Sequence, residues 1–174
     1  MNPFCELILG GARSGKSALA EQRALYSGLD PVYVATGTAG DTEMYARIRH
    51  HQERRGAQWT VVEEPQDLAD TLCAQQGEGR CMVVDCLTLW LSNCLHRNCW
   101  EQQKQALLTV LPTLSGHIIL VSNETGLGVV PMGELSRQFV DAAGFLHQQL
   151  AVICQQVTLT VAGLPLALKL PGER

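Results

Sequence analysis

The stretch Cys5-Glu6-Leu7-Ile8-Leu9-Gly10-Gly11-Ala12-Arg13-Ser14-Gly15-Lys16-Ser17 decides the fold. Its run Cys5–Leu9 reads as a buried strand, and Gly10 to Ser17 spells GxxxxGK[ST] directly after it. A helix follows from Gly15 to about Tyr26. Glycines let the backbone curl so that successive N–H groups point at one locus, where the helix N-terminus adds its positive end. Gly10, Gly11, Ala12, Arg13, Ser14, Gly15, Lys16 and Ser17 are therefore candidate nucleotide-binding residues. Lys16 reaches the β- and γ-phosphates and is a candidate catalytic group, while the Ser17 hydroxyl is placed to ligate Mg2+. Strand, loop and helix together imply a nucleoside triphosphate ligand.

Outward from this loop, short apolar runs alternate with amphipathic ones. Pro31–Thr36 reads as a β-branched strand, and Asp41 or Thr42 caps a helix that runs to about Arg55. Trp59–Glu63 is a short strand, and Pro65 is placed to open the next helix at its first turn. Cys81–Asp85 and His117–Ser122 are continuous apolar runs with polar ends. Leu135, Phe139, Ala143, Leu146, Leu150 and Ile153 recur at helical spacing, and Val157–Val161 reads as the closing strand. Strands without alternation, interleaved with helices, predict a mostly parallel sheet covered by helices on both faces. The expected class is α/β, a P-loop NTPase of RecA-like type. No repeat, linker or low-complexity tract divides residues 1–174, which are expected to form one nucleotide-binding catalytic domain. Ligands of such sheets sit beyond the carboxyl ends of the strands. Here those ends read Gly10-Gly11, Thr36-Gly37, Asp85 and Ser122-Asn123-Glu124.

The 174 residues carry a formal charge of −4, with 46% apolar and 17% charged residues. A disordered chain, a coiled coil and a collagen-like fibre are excluded by that composition. The acidic balance argues against a nucleic-acid or anionic-membrane partner, so polyanions must be held by local features. No run approaches the roughly 20 apolar residues of a membrane span. The first eleven residues contain neither Lys nor Arg, which argues against a leader and for a cytoplasmic protein. Seven scattered cysteines fit buried thiols in a reducing compartment. Cys94, His96 and Cys99 sketch a zinc half-site within one predicted helix, but no CxxC pair completes it.

Asp85 ends an apolar strand, as an acid that holds magnesium does, directly or through water. It is equally placed to cap a helix before Leu87. The segment Asp41–Arg55 sets Arg47 three residues before His50 and Arg54 four residues after it, on one helical face. A solvated basic face is the plain reading. Against it stand the mutual repulsion of these charges, the acidity of the rest of the chain, and the position after a strand end near the phosphate loop. Flanking guanidiniums favour neutral imidazole, the nucleophilic form, so His50 is a candidate nucleophile or phosphate ligand.

Four segments occur together in order: Gly10–Ser17; Val32–Gly37; Asp41, Glu43, Met44, Arg47 and Ile48 leading to the paired His50-His51; and Asp85–Asn93 with the loop Ser122–Pro131. In combination they resemble the bifunctional adenosylcobinamide kinase / adenosylcobinamide-phosphate guanylyltransferase family of cobalamin biosynthesis. The resemblance runs from about Glu6 to Lys169. It implies phosphorylation of the aminopropanol hydroxyl of adenosylcobinamide by ATP or GTP. Transfer of GMP from GTP to that phosphate follows, giving adenosylcobinamide-GDP and pyrophosphate. It implies a guanylylated histidine that falls on His50. It also implies a nucleotide site including Thr36, Gly37, Thr38, Glu53, Arg54, Arg55 and Gly56, with Glu63 preferred to Glu64 as a further carboxylate. Asp85 matches the family acid, and a homotrimer is the implied assembly.

Asn123 and Glu124 head a glycine-containing loop that either meets the corrinoid, transmits the nucleotide state, or simply turns the chain into a helix from Gly133 onward. Arg137 and Asp141 are spaced as a surface ion pair. Trp90 and Trp100 read as packing or interface residues rather than corrinoid-stacking ones, while His96, His117 and His147 show no partner in the sequence. A plain P-loop kinase of another small metabolite is the competing enzyme reading. A nucleic-acid motor would need a basic groove for which the charge leaves no room.

Overall fold

The architecture follows from where the apolar runs are buried. In the computed structural model, which describes residues 4–37 and 56–172, the run at the start of the chain is β1 (Phe4–Gly10), deep inside the sheet. The other strands are β2 (Asp30–Ala35), β3 (Thr60–Glu63), β4 (Arg80–Asp85), β5 (His117–Asn123), β6 (Gln156–Val161) and β7 (Leu164–Lys169). They lie in the order β3-β2-β4-β5-β1-β6-β7. The first six are mutually parallel, and β7 alone runs antiparallel, against β6. The described helices are α1 (Lys16–Tyr26), α2 (Leu68–Gln75), α3 (Leu87–His96), α4 (Trp100–Val110) and α5 (Glu134–Ile153).

Successive strand residues point to opposite faces, and both faces are apolar. Cys5, Leu7 and Leu9 of β1 join Met82, Val84, Ile118 and Leu120 beneath α2 to α5. Ile8 joins Val83, Ile119 and Val121 beneath Ala20 and Ala24 of α1. The predicted α/β class, with a mostly parallel sheet and helices on both faces, is what the chain adopts. Trp90 and Trp100 pack edge to face at 5.3 Å in the larger cluster, as packing residues should.

Local details depart from the sequence reading. Helix α2 starts at Leu68 rather than at Pro65. Glu64 Oε1 accepts from the Gln66 and Asp67 N–H groups at 2.8 and 2.7 Å, which holds the chain in a turn before the helix. The single helix expected across Cys94, His96 and Cys99 is broken after His96, where Asn98 takes φ 54°. Beyond Val161 the chain does not stop pairing: Ala162 and Gly163, with φ 52° and 79°, turn it back as β7. Both positive φ values match a tight hairpin, and Pro165 is tolerated because β7 is an edge strand. Cys5, Cys81, Cys86, Cys94 and Cys154 are buried thiols, while Cys73 is exposed.

Candidate active site

Parallel strands bring their carboxyl ends to one edge, and there the phosphate loop, Asp85 and Asn123 meet. They line a cavity of about 510 Å³ with Ala12, Arg13, Ser14, Gly15, Lys16, Ser17, Ala18 and Cys86. The loop is built to shape. A Cβ on Gly10 would lie 2.5 Å from both Ser14 Oγ and the Thr160 carbonyl, so the strand can turn into the loop only without a side chain. Gly15 caps α1 at φ 95°, a left-handed conformation that glycine adopts freely. Two contacts brace the loop from behind: the Gly163 N–H donates to the Ser14 carbonyl at 2.9 Å, and the Glu124 N–H to the Gly10 carbonyl at 2.9 Å. The first comes from the β6–β7 turn, an element the sequence reading lacked.

Lys16 is buried, and its ammonium donates to the Gly11 carbonyl at 2.5 Å. Burial lowers its pKa, while the charges of Asp85 and Cys86 oppose that shift. A partly desolvated ammonium is a strong electrostatic partner for phosphate oxygens. Asp85, at the end of β4, accepts a hydrogen bond from the Tyr33 hydroxyl at 2.8 Å. Cys86 occupies the cap position of α3, with no side-chain cap bond, so the helix-cap reading of Asp85 is not what the geometry shows. Among the described residues no three His, Cys, Asp or Glu side chains cluster as a metal chelate. One carboxylate beside one hydroxyl, Asp85 and Ser17 in the same cavity, is a hard-oxygen set suited to Mg2+, which keeps waters and phosphate oxygens as its other ligands.

Other sequence candidates fall elsewhere. Thr36 is wholly buried; its hydroxyl donates to the Cys86 carbonyl at 2.6 Å and accepts from the Cys86 N–H at 2.8 Å. It ties the end of β2 to that of β4, while Asn93 donates to its carbonyl at 2.9 Å. Thr36, Gly37, Gly56 and Glu63 are not among the residues lining the cavity. Glu63 is exposed at the carboxyl end of β3, whereas Glu64 is engaged with the turn before α2. Thr38, His50, Glu53, Arg54 and Arg55 lie outside the described residues.

Several partners were invisible in the sequence. Asn123 donates to Thr88 Oγ1 at 2.7 Å, fixing its amide at the cavity wall. The Ser122 hydroxyl and His147 Nε2 are 2.7 Å apart, and His147 Nδ1 lies 4.0 Å from Glu124 Oε2. Burial lowers the His147 pKa against the opposing pull of Glu124. Arg137 donates to the Met132 carbonyl rather than to Asp141.

The chain is similar to known proteins in sequence and in fold. The CobU family model, described as cobinamide kinase / cobinamide phosphate guanyltransferase, matches residues 6–168. The bifunctional adenosylcobalamin biosynthesis protein CobP of Pseudomonas aeruginosa is 58% identical over 167 residues, 94% of this chain and 96% of that protein. The bifunctional adenosylcobalamin biosynthesis protein CobU of Escherichia coli is 35% identical over 180 residues, 94% and 98% of the two chains. In fold, the flagellar accessory protein FlaH of Methanocaldococcus jannaschii superposes with a TM-score of 0.54 at 13% identity, over 97% of this chain and 79% of that one. A KaiC-like protein of Pyrococcus horikoshii gives 0.55 at 15% identity, over 98% and 81%. With the family model matching residues 6–168, nearly all of its 174, the chain belongs to the CobU family of cobinamide kinases / cobinamide phosphate guanyltransferases.

Proposed function

We propose that the chain phosphorylates adenosylcobinamide with ATP or GTP and then transfers GMP from GTP to adenosylcobinamide phosphate. The carrying observation is the convergence of the phosphate loop, Lys16 and Asp85 on one cavity, in a chain that matches the family model over residues 6–168. The N–H groups of residues 10–17 and the α1 N-terminus bind and orient the triphosphate. Lys16 stabilises negative charge on the β- and γ-oxygens as the γ-phosphoryl group passes to the acceptor hydroxyl. Ser17 and Asp85 would hold Mg2+, which would supply charge neutralisation on the phosphates. Tyr33 keeps the Asp85 carboxylate oriented.

For the second step, a ring nitrogen of His50 attacks the α-phosphorus of GTP. A P–N bond forms, the α–β P–O bond breaks and pyrophosphate leaves. A phosphate oxygen of adenosylcobinamide phosphate then attacks the same phosphorus and the P–N bond breaks, freeing His50. Thr36 to Thr38, Glu53 to Gly56 and Glu63 complete the nucleotide site in this reading. The chain acts as one catalytic domain, assembles as a homotrimer and works in the cytoplasm; among the described residues no helix is long and apolar enough to cross a membrane.

The test uses GTP labelled at the α-phosphate. The wild-type protein should retain label after denaturation, in a bond labile to acid and stable to alkali. His50→Ala should lose the label and GMP transfer while keeping phosphorylation of adenosylcobinamide. No label on the wild type would reduce the protein to a plain P-loop kinase, and a label that survives His50→Ala would move the nucleophile elsewhere.

A further inference from the structure

A second cavity, of about 350 Å³, opens between α3, the loop after β5 and α5. Ser92, Leu95 and His96 form one wall, Thr125 the rim, and Leu135 and Phe139 the other wall. Among the described residues, none that lines it is a carboxylate, a lysine or an arginine. Its chemistry is thus the opposite of the phosphate cavity: apolar surface with a few neutral polar groups. His96 Nδ1 lies 2.8 Å from the Ser92 carbonyl, which can only accept, so Nδ1 carries the proton. In the neutral ring Nε2 is then left as an acceptor. Such a set suits an uncharged ligand that presents amide N–H or hydroxyl groups on an aliphatic frame.

Both walls of this cavity begin at the phosphate site. Thr88, which accepts from Asn123 in the phosphate cavity, stands four residues before Ser92 on α3. That is about one helical turn, roughly 6 Å of rise. On the other side Thr125 follows Glu124, whose N–H donates to the Gly10 carbonyl at 2.9 Å. An extended aliphatic arm advances roughly 1.2 Å per bond, so about five bonds span the gap. The adjoining loop exposes Leu127, Val129 and Met132, the last two 96% and 95% exposed. These side chains offer apolar surface beside the cavity mouth to a ligand that covers them.

We propose that this second cavity seats the aminopropanol-bearing arm of the corrinoid acceptor, with Leu127, Val129 and Met132 receiving the apolar edge of the corrin ring and the arm's hydroxyl reaching the phosphate cavity beside Asn123. The assignment rests on the cobinamide kinase reading above. The acceptor's arm is neutral, with one amide, one methyl and one hydroxyl, and its ring is apolar-faced and fringed with neutral amides. Charge and polarity therefore match the cavity, and continuity with the phosphate site supplies the direction of transfer.

Leu135→Glu and Phe139→Ala test it, each at a position that is not fully buried. Kinase turnover is measured against adenosylcobinamide and against ATP separately, with equilibrium dialysis of adenosylcobinamide followed by its visible absorbance. The expected result is a KM for adenosylcobinamide raised roughly tenfold or more, weakened dialysis binding, and a KM for ATP within about twofold of wild type. An unchanged adenosylcobinamide KM in both variants overturns the proposal, as does an equal rise for ATP. So does a Leu135→Glu protein that changes sedimentation but not acceptor binding, because a second copy of the chain then covers this face. A wild-type protein that does not turn over adenosylcobinamide refutes the kinase reading itself, and the pocket assignment falls with it.

Discussion

Arg23→Met isolates a charge that the sheet buries beneath the helix carrying the phosphate loop. Glu6, on the interior strand β1, is 1% exposed. Arg23 of α1 donates to its Oε2 at 2.6 Å and to Thr158 Oγ1 at 3.1 Å, while Glu6 Oε1 has no hydrogen-bond partner. Burial raises the Glu6 pKa, and the charge and hydrogen bond of Arg23 pull it back down. Methionine keeps much of the aliphatic stem but leaves the carboxylate alone. Breaking a buried pair in this way costs about 3–5 kcal/mol. The Arg23 side chain is 24% exposed, so water screens part of the attraction and the low end, about 3 kcal/mol, applies. At about 2–4 °C per kcal/mol for a domain of this size, the melting temperature should fall by roughly 6–12 °C at pH 7. The sign of the pH dependence is fixed by linkage. A carboxyl whose folded pKa lies above its unfolded value contributes stability that is present below the unfolded value and lost as pH rises through the folded one. Losing Arg23 raises the folded value further, so the deficit is full at neutral pH and shrinks on acidification. His117, held down to about 4 by burial and secondarily by Arg23, acts in the same direction, because losing Arg23 eases its protonation. Circular-dichroism melts of wild type, Arg23→Met and Arg23→Met/Glu6→Gln at pH 7 and pH 5 separate the contributions. The double variant should recover most of the loss. A deficit that is equal at both pH values and unrelieved by Glu6→Gln would assign the cost to lost packing and refute the buried-charge argument.

Two further substitutions probe the cavity. Gly10→Ala places a methyl 2.5 Å from the Thr160 carbonyl, which as backbone cannot rotate away, so the loop must shift. Binding of a fluorescent ATP analogue should weaken at least tenfold in a protein that still melts cooperatively, and unchanged affinity would show that the loop does not need its present path. Tyr33→Phe removes the hydroxyl that donates to Asp85, a charge-assisted bond worth about 1.5–3 kcal/mol. The kinase kcat/KM for ATP should drop by roughly 10- to 100-fold and the melting temperature by roughly 3–12 °C, and an unaltered rate would mean that Asp85 needs no such orientation.

What the sequence made legible was whatever local residue types dictate. The phosphate loop requires glycine at defined positions and lysine at the helix start, and parallel strands buried on both faces require unbroken apolar runs, so both could be read directly. What remained hidden depends on register between strands far apart in the chain. Tyr33 meets Asp85 because β2 and β4 pair with Ala35 opposite Asp85, and nothing near either residue announces it. Asn123 finds Thr88 of α3 across 35 positions, and Ser122 finds His147 of α5 across 25, through the packing of helices on the sheet. The β6–β7 hairpin was missed for a different reason: Ala162-Gly163 lacks the Asn or Asp of a strong turn signal, and Pro165 argues against a strand. Yet the hairpin turn supplies the N–H that holds Ser14, and a Cβ on Gly15 would lie 3.2 Å from Gly163 Cα. The phosphate loop is therefore not a self-contained motif. Its eight residues carry the loop's own chemistry, and the turn behind it, the Asp85–Tyr33 pair and the Asn123–Thr88 pair fix how the strand ends are arranged around it. That division explains why the loop's chemistry could be read from a dozen residues, while the partners that brace it became visible only once the strand ends were set side by side.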